Sequence, residues 1–289
     1  MITVFTPTFN RAYIINELYK SLKNQTDKDF EWLVVDDGST DDTEKFFAEV
    51  ALNEKEFEVR YIKQENGGKH RAVNRGVKEA RGELFFIADS DDTLTTDAIE
   101  KLKKWVATLG NDKKFAGVSG LRGYSDNSVI GGGGNGGTYV DATNLERGKK
   151  NLLGDKAEAY FTDVLKKYPF PEFDGEKFVS EEVVWNKIAA DGYYIRWYSE
   201  VIYFTEYLED GLTKSANKYA ENPQGTLYWA KGQLEYFKGD LKSELSAIKR
   251  YYFAVRDKKS DGEIVKDLNV GRFKLFLVKV ISFLKNSKR

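Results

Sequence analysis

Three carboxylates follow a short apolar segment near residue 90. The segment Leu84–Ile87 is preceded by Gly82, which predicts a buried strand, and Asp89, Asp91 and Asp92 come just after it. Carboxylates this close repel one another unless a cation neutralises them, and hard oxygen ligands suit Mg²⁺ or Mn²⁺. The pattern is therefore typical of a metal and phosphate site, although an acidic turn with Asp92 capping the next helix is an equal alternative.

Polar residues also follow three earlier strand-like segments. The first 120 residues alternate between strand-like and helix-like segments, which predicts a parallel, doubly wound sheet whose ligands bind at the carboxyl ends of its strands. The four turns expected at that edge contain Thr6, Pro7, Thr8, Asn10 and Arg11; Asp36, Asp37, Gly38 and Ser39; Asn66, Gly67, Gly68 and Lys69; and Asp89, Ser90 and Asp91. Each turn alone could be ordinary turn chemistry, but together they predict a crevice for a phosphate-bearing ligand with a metal.

The elements that should position these turns follow from hydrophobic periodicity. We expect strands at 2–5, 30–35, 58–62, 84–87 and 116–121. We expect helices at 12–23, from Ser39 or Thr40 to 51, at 69–80, and from Thr95 or Thr96 to 109. The alternation stops after Arg122, a glycine-rich loop follows at 131–137, and the chain from Pro223 onward is predicted to be helical.

Composition narrows the class of protein. The 289 residues are 41% hydrophobic and 31% charged, which is typical of a globular protein. A formal net charge of −1 argues against a nucleic-acid partner. The absence of cysteine excludes disulfides and thiolate catalysis. We recognise neither a signal peptide nor an apolar run of 18 residues, so we expect a cytoplasmic location.

The four turns resemble those of the family 2 glycosyltransferases, which have a GT-A fold, use nucleotide-sugar donors and invert the anomeric centre. The resemblance is carried, in order, by Thr6–Arg11, Val34–Asp41, Asn66–Gly68 with Asn74–Gly76, and Asp89–Asp92. It implies an α/β, Rossmann-like, mostly parallel sheet flanked by helices, with a helical C-terminal extension. It also implies a donor site formed by Thr6, Pro7, Thr8, Asn10, Arg11, Asp36, Asp37, Gly68, Lys69, Arg71, Asp89 and Ser90.

Particular roles also follow from the resemblance. Thr8 with Asp36 or Asp37 would bind the base and ribose. Asp89-Ser90-Asp91 would be the D-x-D motif, with Asp91 on Mn²⁺ or Mg²⁺ and Asp89 near the ribose or the metal. The family often has Ala-Arg-Asn where this chain has Ala72-Val73-Asn74, so Lys69 or Arg71 is the candidate replacement for the missing arginine.

The second half contains an acidic pair ahead of an aromatic residue, Glu181-Glu182 before Trp185. The family resemblance implies that Glu182, or else Glu181, is the catalytic base. The residues alone favour a helix start with Ser180 as its cap. The only histidine, His70, is expected to be a donor-side contact or a solvated residue rather than a metal ligand. The segment 207–215 resembles a mobile lid over the donor.

The last 22 residues, 268–289, contain no acid and six bases, and nine large apolar residues lie from Phe273 to Leu284. This composition predicts either a helix that lies on an anionic membrane surface or a helix that packs on the core. Both alternatives stay open at this point.

The combined prediction is an inverting, metal-dependent glycosyltransferase of the hexosyltransferase class. Its donor would be a UDP-sugar, and its acceptor a glycan or lipid-linked glycan in bacterial surface polysaccharide synthesis, with peripheral membrane association. The predicted parts are a nucleotide-sugar-binding half (1–120), an acceptor-binding and catalytic-base half (121–222) and a C-terminal extension (223–289). The alternatives are a metal-dependent nucleotidyltransferase and a catalytically silent nucleotide- or carbohydrate-binding protein.

Overall fold

The computed structural model describes residues 1–126, 128–133, 136–206 and 217–286. Backbone contacts divide the chain into two compact units. The first comprises Met1–Pro169 and Lys187–Glu209, and the second comprises Phe170–Asn186 and Asp210–Arg289. These bounds differ from the three predicted parts, which were defined by function and stay a prediction. The second unit groups the segment of the predicted base with the C-terminal helices.

A mixed sheet forms the centre of the first unit. Within the described ranges it has nine strands in the order β3-β2-β1-β4-β8-β6-β9-β5, with β7 beside β9. The strands are β1 Ile2–Thr8, β2 Phe30–Asp36, β3 Glu58–Lys63, β4 Leu84–Ile87, β5 Thr93–Leu94, β6 Phe115–Gly123, β7 Tyr139–Ala142, β8 Lys156–Phe161 and β9 Tyr194–Phe204. The predicted α/β class is confirmed.

The first four long strands are parallel, as predicted, and their register brings the turns together. Thr8 at the end of β1 pairs with Asp36 at the end of β2, and Phe5 pairs with Ile87 at the end of β4. Beyond β4 the pattern changes, because β8 lies antiparallel between β4 and β6. The turns after β1, β2 and β4 therefore leave the same edge of the sheet.

Helices cover the sheet of the first unit. They are α1 Ile15–Lys23, α2 Thr43–Asn53, α3 Lys69–Glu79, α4 Ala98–Ala107 and the short α5 Thr162–Leu165, and α6 Glu182–Ala190 follows. In α1 the buried residues Ile15, Leu18 and Leu22 recur at helical spacing and join the core. Gly76 lets α3 approach β1, since a Cβ there would lie 2.1 Å from the ring of Phe5.

Two predicted helix starts were wrong. Helix α2 begins at Thr43 after Asp42, not after Ser39 or Thr40, because those two residues bond to Asn10 instead. Helix α4 begins at Ala98 after Asp97, and the Thr95 hydroxyl donates to the Asp97 carboxylate.

Helices form most of the second unit, as predicted for the chain after Pro223. They are α7 Lys218–Glu221, α8 Pro223–Tyr236, α9 Leu241–Val255, α10 Asp261–Leu268 and α11 Arg272–Asn286. Ser260 and Glu263 form a capping box at the start of α10, and Asn269, with φ 53°, ends it. Over the part of the chain that the structure describes, every helix is too short or too polar to cross a membrane.

Candidate active site

The end of β1 is buried, and one hydroxyl there lacks a hydrogen-bond partner among the described residues. Thr8 is 3% exposed, and its Oγ1 makes no hydrogen bond among the described residues. The hydroxyl of Thr6, in contrast, accepts a hydrogen bond of 3.0 Å from the indole of Trp32 in the buried core. A buried polar atom without a partner costs stability, so the Thr8 hydroxyl is suited to a ligand contact.

Asp36 and Asp37 at the end of β2 are both engaged by protein donors. Asp36 accepts from the N–H of Ser39 at 2.7 Å and from the hydroxyl of Tyr61. Burial and this bond to Asp36 raise the pKa of Tyr61 above its usual range, so the phenol stays a donor. Asp36 therefore fixes the turn, and its predicted contact with the base or ribose stays a prediction.

Asp37 connects the turn after β2 to the glycine loop before α3. Its carboxylate accepts from the backbone N–H groups of Gly67 at 3.0 Å and Gly68 at 2.7 Å. It also accepts from the side chains of Gln64 at 2.8 Å and Asn66 at 3.2 Å. The predicted donor-binding role of Asp37 stays untested, but its bonds show that it sets the position of Gly68 and the start of α3.

Asp89 of the predicted D-x-D motif is neutralised by two cations. Lys69 Nζ lies 2.6 Å from its Oδ1, and an Arg122 nitrogen lies 3.6 Å from its Oδ2. Burial raises the pKa of Asp89, but the charges of Lys69 and Arg122 outweigh that effect and hold the pKa below its ordinary value. Asp89 is therefore ionised.

The next two carboxylates carry an excess of negative charge. Burial, and then the charge of Asp89, raise the pKa of Asp91 above its ordinary value. The same two causes raise the pKa of Asp92 to about 7, although Arg122 lies 3.4 Å from its carboxylate. Raised pKa values show that a proton or a cation would stabilise this cluster. The alternative of Asp92 as a helix cap is wrong, since Asp97 precedes α4.

These residues fit a divalent cation whose other ligands are substrate phosphates and water. Within the described ranges, no group of three or more His, Asp or Glu side chains is arranged to hold a metal ion. Mg²⁺ is commonly bound by one or two carboxylates together with substrate phosphates and water, and Asp91 and Asp89 can supply the carboxylates. Asp89 would share its charge with Lys69, so Asp91 is the principal candidate ligand.

Arg122 and Tyr203 are site residues that the sequence analysis missed. Arg122 near the end of β6 donates to the Lys156 carbonyl at 2.9 Å, and its guanidinium lies 4.1 Å above the Tyr203 ring. The hydroxyl of Tyr203 accepts from the Asp89 N–H at 2.8 Å. The sequence does contain a signal for Arg122, which is the only charged residue in the segment that forms β6. A cation in a buried strand needs an acidic partner.

The remaining predicted donor-site residues lie in the same first unit. Asn10 has a positive φ of 53° and donates through its N–H to Ser39 Oγ at 2.8 Å. Arg11 is one of the charges that act on Asp91. Pro7 and Ser90 are buried, and the side chain of Arg71 packs where a Cβ of Gly67 would lie. His70 is 2% exposed, so the alternative of a solvated histidine was wrong.

The segment of the predicted base belongs to the second unit. Helix α6 begins at Glu182, so this acidic pair lies at a helix start, as the residues alone indicated. The loop before it is fixed to α8: Glu176 accepts from the N–H groups of Gln224 at 2.7 Å and Gly225 at 2.8 Å. Asn222 in turn accepts from the N–H of Phe178 at 2.9 Å. The predicted lid, 207–215, lies outside the described residues.

Comparison with known proteins identifies the class. Residues 3–120 match the model of Glycosyl transferase family 2. A GalNAc(5)-diNAcBac-PP-undecaprenol beta-1,3-glucosyltransferase of Campylobacter jejuni is 28% identical over 228 residues, 76% of this chain and 69% of that protein. Two other curated glycosyltransferases match over 99 residues, so the chain spans only 16% of their length.

Solved structures give the same result for the fold. Residues 1–349 of S. aureus TarS, crystallised with UDP, superpose with a TM-score of 0.62 at 20% identity, covering 89% of this chain and 73% of that one. The mannosyltransferase PcManGT of Pyrobaculum calidifontis, in complex with GDP-Man and Mn²⁺, gives 0.53 at 18% identity, covering 90% and 76%. The fold is of the GT-A type, and residues 3–120 form a domain that matches glycosyl transferase family 2.

Proposed function

We propose that the protein is an inverting, metal-dependent glycosyltransferase that moves a sugar from a nucleotide-diphospho-sugar to an acceptor hydroxyl. The observation that supports it most is the cluster of three carboxylates, Asp89, Asp91 and Asp92, beside the cations Lys69 and Arg122, at the sheet edge where the turns after β1 and β2 also lie. A nucleotide diphosphate with a divalent cation satisfies such a site, since the cation neutralises both the carboxylates and the phosphates.

The donor proposed is a UDP-sugar. The TarS structure that shares this fold was solved with UDP, which supports this nucleotide. Thr8 offers the nucleoside a hydroxyl that has no partner among the described residues, while Asp36 and Asp37 hold the turns that shape the pocket. Lys69 or Arg71, at the start of α3, holds the diphosphate, helped by the helix N-terminus.

The metal proposed is Mn²⁺ or Mg²⁺ at Asp91, with Asp89 beside it. Mn²⁺ in the PcManGT complex supports this assignment. When bound, such an ion stabilises the negative charge that develops on the departing diphosphate. Asp89, kept ionised by Lys69 and Arg122, contributes a fixed negative charge next to the donor.

Glu182 is the proposed catalytic base, with Glu181 as the alternative. Its carboxylate accepts the proton of the acceptor hydroxyl while that oxygen forms a bond to the anomeric carbon. The bond between that carbon and the diphosphate oxygen breaks on the opposite face, and its electron pair leaves with the nucleoside diphosphate. Attack opposite to the leaving group inverts the anomeric configuration.

The acceptor proposed is a glycan, in particular a lipid-linked glycan of bacterial surface polysaccharide synthesis. The C. jejuni relative is named for an undecaprenol-linked substrate, which supports this class. Helix α11 supports contact with an anionic lipid surface at the inner face of the cell membrane. Its buried face contains Leu275 and Val278, each 2% exposed, whereas its opposite face exposes Phe273 by 69%, Phe276 by 58% and Phe283 by 71%.

Basic residues flank that exposed face of α11. Arg272 is exposed at the start of the helix. Lys274 pairs with Glu244 at 2.5 Å, and Lys279 pairs with Asp261 at 2.8 Å. Apolar side chains flanked by bases are typical of helices that lie in the interface of an anionic membrane. In this proposal the two alternatives for the tail are combined: one face of α11 packs on the protein and the other contacts lipid.

A donor screen tests the proposed function. The protein is incubated with Mn²⁺ and a panel of UDP-, GDP- and dTDP-sugars, and release of the nucleoside diphosphate is measured with and without EDTA. We expect release from at least one UDP-sugar that EDTA abolishes. Pyrophosphate release from a nucleoside triphosphate and a sugar 1-phosphate would favour a nucleotidyltransferase. Nucleotide binding without turnover of any donor would favour a silent binding protein.

A further inference from the structure

A buried indole of the C-terminal helices holds the carboxylate of Glu182. Trp229 Nε1 on α8 donates a hydrogen bond of 2.5 Å to Oε2 of Glu182. Trp229 is 6% exposed, whereas Glu182 is an exposed residue at the first position of α6. An exposed glutamate samples several rotamers, so a bond from an immobile donor selects one of them.

Arg250 on α9 fixes the indole in turn. Its guanidinium carbon lies 3.6 Å from the centroid of the Trp229 ring and 4.7 Å from that of Tyr219. A cation on the face of an indole is attracted by the ring electrons and is energetically favourable. It also withdraws electron density from the ring, which strengthens the indole N–H as a donor. The contacts thus run from Arg250 to Trp229 to Glu182.

The backbone near Glu182 is held by the same helix. Glu176 and Asn222 connect the loop before α6 to the start of α8. Gly225 allows this close approach, since a Cβ there would lie 2.8 Å from the carbonyl oxygen of Phe178. Helix α8 therefore fixes both the backbone that leads into Glu182 and the side chain of Glu182 itself.

We propose that Trp229 is a positioning residue for the catalytic base and that Arg250 acts through it by fixing the indole. The inference rests on the proposed function, in which Glu182 is the base. A general base must lie within hydrogen-bond reach of the proton it removes, and a small misplacement costs much of its effect. The C-terminal helices are thus part of the catalytic apparatus.

Four single variants test this inference, with UDP release from the best donor of the screen and water as acceptor. Trp229→Phe keeps a ring for Arg250 but removes the N–H, so kcat should fall about 10- to 100-fold with donor KM nearly unchanged. Arg250→Gln should lower kcat less, and Arg250→Lys should restore most of it. Arg256→Gln is the matched control, because Arg256 stacks on Phe253 of the same helix. Melting curves show whether each variant folds.

A double-mutant cycle separates positioning from simple packing. Glu182→Gln alone should lower kcat by roughly 100-fold, and adding Trp229→Phe should then cost nothing more, because the base is already absent. Equal losses from Trp229→Phe in both backgrounds, an effect confined to KM, or a wild-type kcat would overturn the inference. A Glu182→Gln enzyme with normal turnover would reject the base and the inference together. A wild-type protein that turns over no donor would reject the proposed function itself.

Discussion

The carboxylate of Asp37 accepts a hydrogen bond of 2.7 Å from the backbone N–H of Gly68, which lies 31 residues further along the chain. Gly68 has a φ of 97°, a conformation that favours glycine, and it precedes the first residue of α3. The next residue, Lys69, reaches Asp89. One carboxylate at the end of β2 thus fixes the loop that places a cation beside the acidic motif after β4.

Asp37→Asn should therefore disturb the whole proposed donor site. The amide keeps one acceptor oxygen but turns an NH₂ group toward the N–H donors of the loop, so at least two bonds are lost. We expect a loss of about 2–4 kcal/mol in the free energy of unfolding and weaker UDP binding. Urea unfolding and calorimetry measure the two effects. Glu44→Gln is the control, because its bond to Lys63 is an exposed ion pair and should cost under about 1 kcal/mol. Wild-type stability in Asp37→Asn would show that water replaces this carboxylate.

The buried amine of Lys156 should make stability depend on pH. Lys156 is 2% exposed and donates to the Leu153 carbonyl at 2.9 Å. Burial, and then the charge of Arg147, lower its pKa to about 8. Between that pH and the ordinary lysine value near 10.4, the unfolded chain binds the proton and the folded protein does not, so the free energy of unfolding rises with pH.

Lys156→Met removes this titration and provides the comparison. We expect the stability of the wild-type protein, relative to the variant, to increase by up to about 3 kcal/mol from pH 8 to pH 10.5. Urea unfolding at several pH values measures the difference between the two free energies of unfolding. The contributions of the other lysines cancel in this difference. Parallel pH profiles for the two proteins would mean that Lys156 titrates normally.

The exposed face of α11 should bind anionic lipid. A triple variant with Phe273, Phe276 and Phe283 changed to serine removes this face but keeps Leu275 and Val278, which pack inward. We expect the wild-type protein to sediment with phosphatidylglycerol vesicles at low salt, and the triple variant to stay in solution with an unchanged melting curve. High salt should release part of the wild-type protein, since each base contributes about 1 kcal/mol near such a surface.

The control for this experiment is Leu52→Ser, which removes an apolar side chain that is 73% exposed in the first unit. This control should sediment like the wild-type protein. If the wild-type protein ignores anionic vesicles at low salt, lipid contact by α11 is wrong.

The sequence predicted the elements that local periodicity defines. Strand β4 was placed at 84–87, as observed, and the ends of α3 were right to within one residue, because both have strong apolar patterns. The start of α2 was missed because Ser39 and Thr40 are good caps in isolation but bond to Asn10 in the folded chain. The antiparallel insertion of β8 between β4 and β6 depends on distant pairing, which no local pattern reveals.

The candidate site was predictable only in part, for the same reason. Asp89 and Asp91 stand out, because adjacent carboxylates after an apolar strand are a local pattern. Arg122 and Trp229 reach their partners from 33 and 47 residues away in sequence, so only the folded chain shows the contacts. Asp36 and Asp37 were expected to face a ligand, yet their partners in the structure are protein donors.

The central claim, a nucleotide diphosphate bound through a divalent cation at Asp91, is tested most directly by calorimetry with UDP. Wild-type protein and Asp91→Ala are titrated with UDP in the presence of Mn²⁺ and again with EDTA. The variant should fold normally, because Asp91 lies past the end of β4 and outside the apolar core. We predict binding by the wild-type protein that requires Mn²⁺ and is lost in Asp91→Ala. Equal, Mn²⁺-dependent binding by both proteins would contradict the assignment of the metal to Asp91.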